Sequence, residues 1–239
     1  MRKDFLKRVF LLFALCFLFG ACSSVSGAAA KNKTTEVVFI LDRSGSMGGL
    51  EKDTIGGFNS MLEKQKKEEG QLFVTTVLFD DKYEILHSSL PIDKVEPLTE
   101  KEYYVRGSTA LLDAIGKTII DVEKRVKENK IEKVLFVITT DGEENSSEEF
   151  TAKKIKRMIE TQKKEFNWEF LFLGANIDAI KTAENFGIDK NRAVNYRSDS
   201  IGTEVNYRAI NKAITNTRSG RKLEDDWKSE IEDDYKHRN

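Results

Sequence analysis

The chain is poor in the residues on which disulfide scaffolds and hydrolytic enzymes depend. Its 239 residues include two cysteines, two histidines and two prolines. Cys16 falls inside an apolar stretch near the start and Cys22 closely follows it. The body of the chain therefore has no thiol for a disulfide, and its stability must come from a core. The histidines are His87 and His237, the second in a charged terminal segment. A serine hydrolase would need a histidine base and a Gly-x-Ser-x-Gly turn, and no such turn occurs. A Gly-x-Gly-x-x-Gly fingerprint for a dinucleotide is also missing. Charge of one sign is lacking as well: 39 basic and 40 acidic residues are interspersed, with no basic stripe for nucleic acid. Pro91 and Pro97 both fall in an expected loop, so the remaining segments are free of proline breaks.

What is present begins with an export signal. Arg2, Lys3, Lys7 and Arg8 precede an unbroken apolar run from Val9 to Phe19. That run is shorter than the ~20 apolar residues a spanning helix needs, and it has the length of a signal-peptide core. Two processing readings follow. Phe19-Gly20-Ala21-Cys22 resembles a bacterial lipobox, with Phe19 where leucine is usual, and would place a lipid on Cys22. Alternatively, Ala28-Ala29-Ala30 offers a small-x-small cleavage site and a secreted product. The lipoprotein reading is preferred: residues 1–21 as signal, 22–35 as a flexible tether, and the protein exported and lipid-anchored in the cell envelope. Residues 36–217 make one domain of ordinary size. Residues 218–239 read as a charged, solvated C-terminal tail, although Trp227, Ile231 and Tyr235 are spaced by four.

The body alternates short apolar runs with amphipathic stretches. Strands are expected at Val37–Leu41, Leu72–Phe79, Tyr83–His87, Lys133–Thr139, Glu169–Leu173 and Ala193–Tyr196. Runs such as Val134 to Ile138 are apolar throughout, as in strands covered on both faces. Helical periods are carried by Ile55, Phe58 and Leu62, by Leu112, Ile115, Ile119, Val122 and Val126, and by Ile155, Met158 and Ile159. Further helices are expected at 177–186 and 203–215. Only Asp80, Asp81 and Lys82 separate the second and third strands, which forces an antiparallel hairpin. The fold class is therefore α/β, a mostly parallel sheet with one antiparallel edge strand and helices on both faces.

Ligands of open α/β sheets bind at the carboxyl ends of the strands. Three loops bring oxygen donors there: Asp42-Arg43-Ser44-Gly45-Ser46, Gly107-Ser108-Thr109, and Asp141-Gly142-Glu143-Glu144-Asn145. Each has a plainer reading. Asp42 or Ser44 can cap a helix, Ser108 or Thr109 can do the same, and Asp141-Gly142 can be only a turn. Carboxylates and hydroxyls together suit a hard divalent cation such as Mg²⁺.

In this order and setting the three loops resemble those of the von Willebrand factor type A domain with its metal-ion-dependent adhesion site. The family's Asp-x-Ser-x-Ser matches Asp42, Ser44 and Ser46, its lone threonine Thr109, and its aspartate Asp141. The resemblance implies a Rossmann-like fold over 36–217 and a metal site of Asp42, Ser44, Ser46, Thr109 and Asp141. It implies Mg²⁺, with Mn²⁺ or Ca²⁺ also accommodated. Direct contacts are expected from Ser44, Ser46 and Thr109, and partly water-mediated ones from Asp42 and Asp141. Function follows as a non-enzymatic module that binds a protein ligand offering a carboxylate. The alternatives are an accessory subunit of an envelope complex, and a metal-dependent hydrolase. A phosphatase of the haloacid dehalogenase type would need a second aspartate where Ser44 stands. Further expectations concern neighbours: Arg43 pointing away from the metal, Asp113, four residues after Thr109, either supporting the site by a hydrogen bond or else solvated or capping, Glu143 and Glu144 as an exposed acidic loop, and Asp80-Asp81 as a hairpin turn.

Overall fold

The computed structural model describes residues 33–238, so the expected signal segment, Cys22 and the cleavage site near Ala30 lie outside the described residues. Strands run Thr35–Asp42 (β1), Leu72–Phe79 (β2), Tyr83–Pro91 (β3), Lys133–Thr140 (β4), Glu169–Gly174 (β5) and Ala193–Asn195 (β6). Helices run Glu51–Gln65 (α1), Leu111–Asn129 (α2), Ala152–Phe166 (α3), Ala179–Asn185 (α4), Ser200–Arg218 (α5) and Ser229–His237 (α6). The sheet has six strands in the order β3-β2-β1-β4-β5-β6, and β3 is its antiparallel edge. Pro91 ends β3 instead of lying in a loop, at the sheet edge where a missing N–H costs no ladder bond.

Apolar continuity explains the layers. Every residue of β1 is buried, and alternate side chains leave the sheet on opposite sides. Val37, Phe39 and Leu41 meet Phe58, Met61 and Leu62 of α1 and Ile210 and Ile214 of α5. Val38 and Ile40 join Ile115 and Ile119 of α2 and Ile155 and Ile159 of α3 on the other face. Burial of each such side chain stabilises the fold by about 1.5–3 kcal/mol. α1 and α5 approach closely because Gly57 has no side chain; a Cβ there would collide with the Tyr207 ring. α2 and α3 each end on a left-handed residue, Lys130 and Asn167, which releases the chain into the next strand. No helix of the described residues is long and apolar enough to cross a membrane.

At the amino end of β1 lies a buried polar group. Glu36 is fully buried and accepts from Thr75 Oγ1 (2.6 Å), Arg125 Nη2 (3.3 Å) and Ser89 Oγ (3.3 Å). Ser89 takes a left-handed φ of 49° where the β2–β3 register shifts, and this brings its N–H to Thr75 Oγ1 (2.9 Å).

The reading of residues 218–239 as a solvated tail needs correction. Leu223, Trp227 and Ile231 are buried in the layer shared with α5, and Trp227 Nε1 donates to the Asn191 carbonyl (2.9 Å). Arg238 grips Asp199, the residue that caps α5, through two bonds of 2.9 and 3.0 Å. The four-residue spacing of Trp227 and Ile231 places both on one helical stripe. Leu223, Trp227 and Ile231 dock the segment, and several of its charges are tied inward as well: Arg218 is buried and donates to the carbonyls of Gln65, Glu68 and Gly70. The domain thus extends past 217, and at its other end β1 already begins at Thr35, inside the expected tether.

Candidate metal centre

The chain builds the sheet outward from β1 in one direction, to β2 and β3, and then in the other, from β4 to β6. The reversal falls between β1 and β4, so Asp42 and Asp141 emerge side by side at the crevice where such folds bind ligands. Asp42 is fully buried at the end of β1. Its Oδ1 accepts from the Ser44 N–H (2.7 Å) and its Oδ2 from Thr140 Oγ1 (2.6 Å). Ser44 leads into a single 3₁₀ turn, Gly45–Met47, but its side chain makes no capping bond. Its hydroxyl lies 3.1 Å from that of Ser46, which donates to Asp141 Oδ1 at 2.5 Å.

Thr109 arrives from the loop before α2. Its backbone is locked to Asn145 in both directions: N–H to Asn145 Oδ1 (2.9 Å), and carbonyl from the Asn145 N–H (3.0 Å). A Cβ placed on Gly142 would stand 3.1 Å from Ser46 Oγ and 3.6 Å from Thr109 Oγ1, so the third loop passes between these hydroxyls. The helix-cap reading of Thr109 fails. The first turn of α2 is satisfied by Glu144, which accepts from the Leu112 N–H, and by Ser147 Oγ, which accepts from Asp113 N–H. The structure thus gathers Asp42, Ser44, Ser46, Thr109 and Asp141 around one point.

Electrostatics sharpen the picture. Burial pushes the Asp42 carboxyl up to about 6, against hydrogen bonds from Thr140 and Ser44 that pull it down, and the charge of Asp141 adds to the rise. Asp141 is also raised by burial, with Ser46 and Ser198 opposing. Arg43 lies beside Asp42 in sequence but turns away: it donates to Asp80 Oδ2 (2.8 Å), Glu84 Oε2 (2.7 Å) and the Glu102 carbonyl (3.1 Å). Two buried carboxylates and three hydroxyls therefore face one another, and the adjacent arginine does not neutralise them. All the donors are hard oxygens, which fits Mg²⁺, Mn²⁺ or Ca²⁺ and does not fit a soft metal. Among the described residues no group of three or more His, Cys, Asp or Glu side chains is placed to hold a metal.

Several participants are not evident from sequence. Thr140 holds Asp42, Ser198 Oγ reaches Asp141 Oδ2 (3.3 Å), and the Tyr103 hydroxyl donates to the Asp42 carbonyl. Only Thr140 had a signal, as the neighbour of Asp141. Glu144 is not an exposed acid; it accepts from the Leu112, Ser146 and Ser147 N–H groups and the Ser147 hydroxyl. Asp113 is not solvated: it accepts from the N–H groups of Glu148, Glu149 and Phe150 and so holds the loop before α3. Asp80 does form a turn, accepting from Lys82 N–H (2.7 Å), and it also pairs with Arg43 and Arg106.

No protein-family model and no curated protein matches the sequence. Solved structures do match. The von Willebrand factor domain of the type V pili tip protein Mfa5 from Porphyromonas gingivalis aligns over 81% of this chain and 99% of its own, at 11% identity and TM-score 0.56. A von Willebrand factor type A protein from Catenulispora acidiphila aligns over 77% of this chain and 43% of its own, at 16% identity and TM-score 0.55. Proximal thread matrix protein 1 from the mussel byssus aligns over 77% and 46%, at 14% identity and TM-score 0.53. The chain spans less than half the length of the last two. These likenesses establish the class: an α/β protein with a von Willebrand factor type A-like fold.

Proposed function

We propose that the protein is a non-enzymatic binding module that takes up a carboxylate of a protein partner through a Mg²⁺ ion held by Asp42, Ser44, Ser46, Thr109 and Asp141. One observation carries the reading: Ser44, Ser46 and Thr109 are not used as helix caps, the Ser44 and Ser46 hydroxyls face the two buried carboxylates, and the Thr109 hydroxyl lies across Gly142 from that of Ser46. When bound, Mg²⁺ would supply an electrophilic position that a ligand carboxylate can occupy, since five side-chain donors do not fill its octahedral shell. The chain's own residues set the geometry. Thr140 and the Ser44 N–H fix Asp42, Ser46 and Ser198 fix Asp141, and Asn145 fixes Thr109. His87 is bonded to Thr76 on the edge hairpin, which supports a binding role over general-base chemistry at this site. The likeness to a domain of a pilus tip protein also supports a protein-interaction role.

Export and attachment to the envelope through a lipid on Cys22 belong to the same proposal, with secretion after cleavage near Ala30 as the alternative. Titration calorimetry with Mg²⁺ tests the site: the wild type should bind and Asp42→Ala should not. Equal heats from both proteins would remove the assignment. A pull-down from envelope extract in Mg²⁺ and in EDTA tests the mode of binding, and partners retained equally in both would exclude metal-mediated capture.

A further inference from the structure

A cavity of about 660 Å³ opens beside the metal turn. One wall is the segment through Gly49 to Asp53, directly after the turn that carries Ser46; the other is the segment from Glu100 to Tyr104. Tyr103 ties this second wall to the site, because its hydroxyl donates to the Asp42 carbonyl. Tyr104 is 43% exposed yet held in place, with the guanidinium carbons of Arg43 and Arg106 at 5.4 and 5.3 Å from its ring centroid. Arg106 also donates to the Tyr104 hydroxyl (3.0 Å). Both arginines are themselves paired with Asp80, and Arg43 with Glu84, so their charge is already matched.

The cavity therefore combines the exposed ring of Tyr104, backed by buried Tyr103, with a rim of Glu51, Asp53 and Glu100 against Lys52. Glu51 accepts from the Gly49 N–H and Asp53 from Ser200 Oγ, each through one oxygen, and both keep their charge and a second oxygen. An aliphatic stem ending in a positive charge suits that combination, with methylenes along the Tyr104 ring and the cation at the carboxylates. We infer that this cavity receives a lysine or arginine side chain of the partner, a few residues from the carboxylate that meets the metal. The inference deepens the metal-binding reading by naming the partner's charge pattern, and it rests on that reading only for the second half of the pattern.

The test uses the intact protein, ¹⁵N-labelled, in EDTA, with N-acetyl-lysine methylamide as probe and the norleucine and glutamate analogues as controls. The lysine probe should give saturable amide shifts confined to residues 49–53 and 100–104. Its apparent affinity should fall roughly two- to five-fold in Glu100→Gln and rise comparably in Lys52→Ala, the range for one exposed charge. No localised shift, or equal shifts with norleucine, would overturn the pocket. A second probe, acetyl-Asp-Gly-Gly-Lys-amide, is then titrated in Mg²⁺ and in EDTA. Tighter binding in Mg²⁺ supports the complete pattern. Lysine shifts without any gain from Mg²⁺ would leave the pocket standing and overturn the metal half.

Discussion

β1 carries a fully buried carboxylate near each end, Glu36 as its second residue and Asp42 as its last. The two sites share a strand, a residue class and complete burial, and both recruit threonine hydroxyls from neighbouring strands. They differ in their cation. At Glu36 the chain brings Arg125 from α2 to within 3.3 Å. At Asp42 the neighbouring arginine is directed to Asp80, and a second carboxylate, Asp141, is brought closer instead. Isolated buried charge is costly, and proteins pair it or neutralise it by protonation. The Glu36 end is paired within the chain, whereas the Asp42 end faces a second carboxylate, and on the proposed reading a cation from outside completes it.

Removing the internal cation should give the largest effect. Arg125→Met leaves Glu36 buried with hydroxyls alone and should cost about 3 kcal/mol by urea denaturation, since breaking a buried pair strands its partner. The double variant Glu36→Gln/Arg125→Met should recover most of that loss. A double variant as unstable as the single one would show that Arg125 acts through packing, and the comparison would fail.

Supplying the external cation comes next. Mg²⁺ at about a hundred times its dissociation constant should stabilise the wild type by about 3 kcal/mol through mass action. Asp42→Asn keeps the shape of the side chain and should lose this response while remaining folded in EDTA. An unchanged Mg²⁺ response in that variant would assign the metal elsewhere.

A smaller effect is expected from Thr140→Val, which deletes one hydrogen bond to Asp42 and should cost about 2 kcal/mol in EDTA. If Thr140→Val is neutral in EDTA, Asp42 is held mainly by the Ser44 N–H.

The smallest effect concerns acid. Burial lowers the pKa of His87 below its ordinary value of 6.5, while the charges of Glu96 and Glu102 raise it. The unfolded chain therefore takes up a proton before the folded one does. The stability linked to His87 is fully present above about pH 6.5 and is lost as pH falls towards the lower folded value. His87→Gln should flatten that limb of a stability–pH curve measured in EDTA. A limb of unchanged slope would assign the titration to another group.

How much of this was legible beforehand depended on distance along the chain. Asp42, Ser44 and Ser46 lie within five residues, and Thr109 and Asp141 each sit at a strand-to-helix connection, so short patterns and periodicity located them. The sheet followed from apolar runs and the brief gap at Asp80 to Lys82. Arg125 and Glu36 are 89 residues apart, and Ser198 and Asp141 are 57 apart. Nothing local marks such pairs; they exist only once α2 and the β6–α5 loop have docked. Trp227 and Ile231 showed helical spacing, but their burial depended on the surface that α5 and β6 offer them. Glu144 looked like loop acidity because its four donors come from α2 and its own turn.

The direction of β1 has a mechanical consequence. The chain enters β1 at Thr35 and the candidate ligand site lies at its far end, so on the proposed reading tension between a bound partner and the preceding segment would run along β1. That strand is hydrogen-bonded to β2 on one side and β4 on the other, both parallel, over nearly its whole length. Force along the axis shears these two ladders together and loads many bonds at once, instead of peeling them singly. On that reading β1 is the tensile element of the domain, and its resistance to pulling is set by the two ladders it shares with β2 and β4.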